Sequence, residues 1–366
     1  MAFKGIHPAA DIEPIEFGLF AVAKPSLSED HAIENEWTRG FSQEYITEPN
    51  YVRNWDETST TSYVVADSPG SKLYQELKPI FIEVEDQRST FSLAGEDRFA
   101  RVLKQLEGVS QKALEYELWN GEIALAQSLP NTFLTSPDVT VISAGTKFSP
   151  RRGLSLLEHY VGEMSPAGEH GVIHLTRDAF VLMTSNNQMF MDTKGLQHMQ
   201  TASGAHVIIG SGYPGDGPHS NIVSFAVNNN TVTVVTSSNH YLEHSELVEV
   251  VGKVNAVDFG GIYTVVSTPN DTTFTFAKTT GNFSATAPNG YGPATAQNKA
   301  SDDTKWIYAT GKVFAHLGKS EVVNDTLAQG YDVSANKNNM KIKATRSAIA
   351  YFDPSIHLAV KLDLTV

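Results

Sequence analysis

One segment limits what this chain can become more than any other: GEDRFARVLKQLEGVSQKALEYELWN, residues 95–120. Phe99, Val102, Leu103, Leu106, Val109 and Ala113 recur at helical spacing and form one apolar stripe. About 24 residues in that conformation span ~36 Å. Glu96 and Asp97 fall in the first turn, where the helix dipole favours anions, and Gly108 is an internal weak point. A second helix starts at SPRRGLSLLEHYVGEM, with Ser149 as N-cap, Pro150 in the first turn and Leu154, Leu157 and Val161 on its buried face. Strand GVIHL (171–175) and a short helix from Arg177 follow.

The flanks differ in texture. Residues 1–45 carry Pro8, Pro14 and Pro25 and no sustained amphipathic period, so they read as an extended arm that must lie on its own domain or a neighbour. Residues 46–94 hold the β-rich runs TSYVVA and KPIFIEVE around Pro69-Gly70, which predicts a long hairpin-like loop. Residues 222–287 are rich in Thr, Val, Ser, Asn and Gly. NIVSFAV, TVTVVT, ELVEVV, GIYTVVS and TTFTFA read there as short strands of a small all-β module. Loop-like joints bound the module, which predicts a domain inserted where insertion costs least and leaving the core unaffected. KWIYATGKVFAHL, MKIKATRSAIAYF and IHLAVKLDLTV close the chain as further strands.

Composition excludes several classes. In 366 residues there is no cysteine, so disulfides, thiolate metal sites and cysteine nucleophiles are absent. No apolar run reaches the roughly 20 residues of a membrane helix, and the N-terminus lacks the pattern of an export signal. The net charge is −14 with no basic cluster denser than Arg151-Arg152, which argues against gripping nucleic acid. An acidic chain would instead suit a container whose contents stay mobile.

Two motifs invite catalytic readings. Gly210-Ser211-Gly212-Tyr213-Pro214-Gly215 spells G-x-G-x-x-G after the strand AHVII. A dinucleotide site needs a helix opening within that motif, and here Pro214 and Pro218 lead into another strand. The expected role is a glycine-rich turn at the end of that strand. His240-Tyr241-Leu242-Glu243-His244 is H-x-x-E-H, whose zinc chemistry requires both histidines on one helix face. The β-forming surroundings predict a turn and strand instead, where positions four apart lie roughly 13 Å from each other. His170 and His174 read as ordinary polar positions on a strand, and Trp55, Trp119 and Trp306 as packing residues. No catalytic, cofactor-binding or metal-binding residue and no cofactor are assigned, and no enzymatic activity is expected.

The order of elements carries more than any single motif. GEDRFARVLKQLEGVSQKALEYELWNG resembles the spine helix, with its Glu…Trp-x-Gly end, of the major capsid proteins of tailed bacteriophages (the Hong Kong 97-type fold), in the version found in phages of actinobacteria. GLSLLEHYVGEM with GEHGVIHLTRDAFVLM is similar to the start of that family's axial domain, and VIIGSGYPGDGP to its glycine-rich strand end. KWIYATGKVFAHLG resembles its tryptophan-containing strand, and ATRSAIAYFDPSIHLAVKLDL its terminal strands, with Arg346 and Asp353-Pro354 in place. The likeness covers roughly residues 15–218 and 301–366.

The resemblance implies an α+β Hong Kong 97-type capsid fold with an inserted small all-β domain. Its parts would be an N-terminal arm (1–45), an extended loop (46–94), a spine helix and peripheral domain (95–148) and an axial domain (149–218). The inserted β-domain (219–300), the axial return (301–335) and the peripheral strands (336–366) complete it. It further implies self-assembly into hexamers and pentamers of an icosahedral head that encloses double-stranded DNA without sequence-specific binding. A separate scaffolding protein and a portal would be partners, the virion its location after assembly in the bacterial host cytoplasm, and no membrane would be involved. Some members join subunits by Lys–Asn isopeptide bonds, for which Lys72 with Asn336 or Asn338 are candidates. The insertion would decorate and stabilise capsomers, or bind host surface sugars. The alternatives are an encapsulin-type shell, a tail-tube or adhesin protein, and a zinc hydrolase using H-x-x-E-H.

Overall fold

The computed structural model describes residues 17–23, 26–27, 41–45, 73–89, 98–164, 171–184, 189–191, 199–201, 203–254, 256–289, 293–324, 331–332 and 337–365. The arm's first sixteen residues, the run TSYVVA, and Trp55, Lys72, Glu96, Asp97, His170 and Asn336 lie outside them. The described residues form an α+β fold of few helices and three large sheets.

The long helix spans Arg98–Asn120. Val102, Leu106, Leu114 and Leu118 are buried against Ile80, Ile82, Ile342, Ala344 and Ala348 of a six-stranded sheet. Each buried leucine there contributes about 1.5–3 kcal/mol. The stripe is rotated from the one its sequence suggests. Val109 is 42% exposed, whereas Ser110, Gln111 and Glu115 are buried. The cause is the polar contacts described below.

At the centre of that sheet is the 16-residue strand Lys337–Phe352. Ile80–Ser89 pairs antiparallel along one edge of it, and Val313–Leu317 and Glu321–Asn324 along the other. Phe41–Tyr45 and Leu73–Leu77 form a separate antiparallel ladder. Phe41–Tyr45, expected in the arm, pairs here with Leu73–Leu77, while TSYVVA, expected opposite KPIFIEVE, lies outside the described residues. Strand Ile80–Ser89 belongs to the body's sheet and not to the loop, because its alternate residues Ile80 and Ile82 pack under the long helix.

An eight-stranded sheet runs Thr140–Val141, His357–Asp363, Thr304–Thr310, Val172–Leu175, His206–Ile209, Met199–Thr201, Met189–Met191, with Lys147–Phe148 also on His357–Asp363. Helix Pro150–Met164 covers it through Leu154, Leu157 and Val161, as their spacing predicts. Helix Arg177–Thr184 adds Ala179 and Met183. Two strand pairs pass from this sheet into the six-stranded one. Thr304–Thr310 continues into Val313–Leu317 through Gly311, and Lys337–Phe352 into His357–Asp363, so the two sheets make one body.

Of the nine strands from His219 to Lys299, Lys253–Val254 pairs separately with Val257–Asp258, and the other seven make a sheet of their own, closed over Phe225, Val232, Val234, Val248, Phe259, Phe274 and Phe276. Its root does not leave the rest of the chain untouched, contrary to expectation. Tyr241 packs against the body's core, 6.1 Å from the Trp306 ring.

Candidate functional site

The glycine motif lies where the long helix, the eight-stranded sheet and the root of the seven-stranded sheet meet. Strand His206–Ile209 ends at Gly210, and the next regular element is strand His219–Asn228, so no helix opens in the motif. The loop is pressed onto the long helix. A Cβ on Gly212 would sit 2.5 Å from Lys112 O and 3.0 Å from Glu115 Cβ. Gly215 has φ +86°, a conformation that only glycine adopts freely, and Gly217 lies against the Trp306 indole.

Glu115, fully buried, holds this junction. Its carboxylate accepts from Gly212 N at 3.0 Å, Ser211 Oγ at 3.2 Å, Leu19 N at 3.0 Å and Gln111 Nε2 at 2.9 Å. One helical side chain thus ties the short helix Leu19–Ala23, the glycine loop and its own helix together. A turn further on, Trp119 Nε1 donates to Asp216 O at 3.1 Å, with Tyr213 and Tyr308 at ring distances of 4.7 and 4.9 Å. Asn120 receives Gln297 Nε2 on its side chain and His219 Nε2 on its carbonyl. Gly121 (φ +60°) then breaks the helix. Glu117 caps the following one, Glu122–Gln127, by accepting from Ile123 N and Ala124 N, and burial raises its pKa. The Trp-x-Gly ending is therefore a junction built from both sheets.

Two ionic clusters fasten the seven-stranded sheet to the body. Asp216 receives Lys299 Nζ and Ala300 N, and Lys299 also meets Glu249 at 3.1 Å. Burial alone would lower the Lys299 pKa, but its carboxylate partners raise it above the ordinary lysine value. Lys361, fully buried, meets Glu246 at 2.8 Å, and Lys147 meets Glu246 and Glu243 at 2.9 and 3.0 Å. Burial pushes the Lys361 amine below its ordinary value against the pull of Glu246. Burial would raise Glu246, but the Lys361 charge outweighs it and keeps that carboxyl low.

The residues of the second motif sit between strands Thr231–Thr236 and Leu247–Val251, not on a helix. His240 Nε2 bonds Asn270 O and its Nδ1 accepts from Leu242 N, while His244 bonds Ser245. Both His240 nitrogens are thus engaged, and Glu243 is drawn into the lysine cluster. No group of three or more His, Asp or Glu side chains is placed to share a metal ion among the described residues. His174 is buried, held between Tyr213 Oη and Thr310 Oγ1 at 2.9 Å each, and burial lowers its pKa to about 3. Trp119 and Trp306 are core residues. Asn338 pairs through its backbone with Tyr331. Among the described residues no helix is long and apolar enough to cross a membrane. Glu115, Asp216 and Lys361 were not marked by their sequence context, since each reads as one more charge in an acidic chain.

No family model matches the chain, and no curated protein matches it in sequence. Solved structures do resemble it over nearly their whole length. The capsid of a native GTA particle aligns at 7% identity and TM-score 0.43, covering 99% of this chain and 95% of that one. The head of Helicobacter pylori bacteriophage KHP40 aligns at 8% identity and TM-score 0.44, covering 100% and 95%. Microbacterium phage Oxtober96 aligns at 10% identity and TM-score 0.42, covering 99% and 96%.

Proposed function

We propose that this chain is a major capsid protein of a tailed bacteriophage, with a fold of the Hong Kong 97 type, building an icosahedral head around double-stranded DNA. The observation that carries the reading is the spine. A 23-residue helix lies against a sheet centred on a 16-residue strand, and an antiparallel ladder, Phe41–Tyr45 with Leu73–Leu77, closes the base of a long loop beside it. A long helix beside terminal strands and a long loop supports the reading, since the sequence resemblance implies a spine helix, terminal strands and an extended loop. The outermost strand, Ile80–Ser89, carries Phe81 at 70% exposure, an aromatic side chain that one copy leaves uncovered. In a shell, many such modest contacts with sister copies act together, so weak interfaces suffice.

In this reading the first sixteen residues of the arm and the loop interior cover neighbours, while Leu19–Ala23 and Ser26–Leu27 stay on the chain's own body. The long helix and terminal strands form the peripheral domain, and the eight-stranded sheet forms the axial domain around five- and six-fold axes. The sheet at 219–300 is an insertion that reinforces capsomers. The role is structural, with a scaffolding protein, a portal and the packaged genome as partners and the virion as location, after assembly in the host cytoplasm. Negative-stain microscopy with sedimentation of the expressed chain, alone and with its scaffold, tests this. Closed shells with hexameric and pentameric units are expected, and discrete monomers under every condition would refute it.

A further inference from the structure

Under the loop carrying Tyr241 and Glu246, two nitrogen-bearing side chains from distant strands share the same two acceptors. Lys361 Nζ, on strand His357–Asp363, donates to Tyr241 O and to Glu246 Oε2, each at 2.9 Å. Asn298 Nδ2, on strand Thr295–Lys299, donates to the same two atoms at 3.2 and 2.8 Å. Amine and carboxamide therefore lie within two hydrogen-bond lengths of each other, across one carboxylate. Both residues are buried, and Asn298 Oδ1 has no hydrogen-bond partner among the described residues. The Trp306 ring closes the site 5.8 Å from Nζ. A salt bridge accounts for Lys361 and Glu246. It does not account for an asparagine carbonyl buried without a donor, which ordinarily costs about 1–3 kcal/mol.

We propose that Lys361 and Asn298 form an intramolecular isopeptide bond, with Glu246 carrying the protons, that joins the seven-stranded sheet covalently to the C-terminal strand of the body. Lys361 Nζ gives a proton to Glu246 and attacks Asn298 Cγ as a neutral amine. The new N–C bond forms as the Cγ–Nδ2 bond breaks. Two of the three Nζ protons reach Nδ2 through Glu246, nitrogen leaves as ammonium, and the Glu246 carboxylate is restored. Atoms and charge balance without an oxidant or other co-reactant.

Burial supports the first step on the amine side, because it disfavours the charged Lys361, and the pull that holds the Glu246 carboxyl low ends once the Lys361 proton has moved. The other charges facing the site are Glu243, 3.8 Å from Lys361 Nζ, and Lys147, 2.9 Å from Glu246 Oε1. Lys147 gives Glu246 a counter-charge once Lys361 is consumed. The bond lies within one chain and needs no neighbour, unlike a pairing of Lys72 with Asn336 or Asn338. It stands or falls independently of the capsid reading.

Mass spectrometry of the purified full chain tests the bond directly. The expected result is an intact mass one ammonia below the sequence mass, with a branched tryptic peptide joining Asn298 to Lys361. Both signals should vanish in Asn298→Ala and in Glu246→Gln, the latter preserving side-chain shape. An unchanged mass in the folded wild-type chain overturns the proposal. So does an ammonia loss that maps elsewhere, for instance to the Asn289-Gly290 pair. A branched peptide that persists in Glu246→Gln removes Glu246 from the mechanism.

Discussion

Replacing Gly212 with alanine tests whether the G-x-G-x-x-G run is a packing element. The added Cβ would meet the Lys112 carbonyl at 2.5 Å and Tyr116 N at 3.0 Å, both backbone atoms of the long helix that cannot swing aside. The loop must lift, at an overpacking cost of about 1–3 kcal/mol. Lifting also breaks the 3.0 Å bond from Gly212 N to the buried Glu115 carboxylate, worth about 1.5–3 kcal/mol as a bond to a charged group. The sum expected is about 2.5–6 kcal/mol. Urea unfolding followed by tryptophan fluorescence reads it, since Trp119 and Trp306 are buried beside this loop. Gly162→Ala is the control. That glycine lies on helix Pro150–Met164 with nothing within 4 Å of the methyl group the change would add, and the substitution should stabilise by about 0.5–1 kcal/mol. A Gly212→Ala protein within about 0.5 kcal/mol of wild type would refute the packing argument.

Glu115→Ala strips an acceptor from four donors and should cost about 2–4 kcal/mol, and combined with Gly212→Ala it should cost less than the two changes separately because they share a bond; additive costs measured in the same unfolding assay would contradict this. Burial holds His174 at about 3 and His219 at about 4, below the roughly 6.5 of an unfolded histidine, so the unfolded chain binds more protons as pH falls from 6.5 towards 4. Stability should therefore drop by up to about 1.4 kcal/mol per pH unit for each histidine in that window, and His174→Gln should flatten the slope in unfolding curves taken at several pH values. Phe81→Ser should leave chain stability within about 0.5 kcal/mol, because the ring is mostly exposed, yet reduce shell yield by sedimentation; undiminished shells would exclude Phe81 from the subunit contact.

Much of the frame is legible in the sequence because period and turn chemistry act locally. The long helix, the helix from Pro150, the short helix from Arg177 and the β-strands between 219 and 300 follow from spacing that neighbouring residues set by themselves. What spacing cannot carry is the identity of the partner. Val109 belongs to the helical stripe by its hydrophobicity, yet Ser110, Gln111 and Glu115 take the buried side, because a loop about a hundred residues on brings the donors that offset the burial of a carboxylate. Strand Ile80–Ser89 reads equally well as a loop strand or a sheet strand until the terminal segment Lys337–Phe352 is seen beside it.

The junction was illegible for the same reason. Lys361 alternates with apolar neighbours as a solvent-facing lysine would, and only the arrival of Glu246 and Asn298 turns it inward. The three polar residues that most firmly position the sheets, Glu115, Asp216 and Lys361, are each buried at a contact between segments about a hundred residues apart. A buried charge without its partner is strongly destabilising, so the Asp216–Lys299 and Lys361–Glu246 contacts are formed whole or not at all. Such all-or-none fastening fixes how the seven-stranded sheet is seated on the body, which a hydrophobic seam alone would leave free to slide. On the capsid reading proposed above, that fixed seating is the property the seven-stranded sheet needs if it is to meet the same surface on every neighbour.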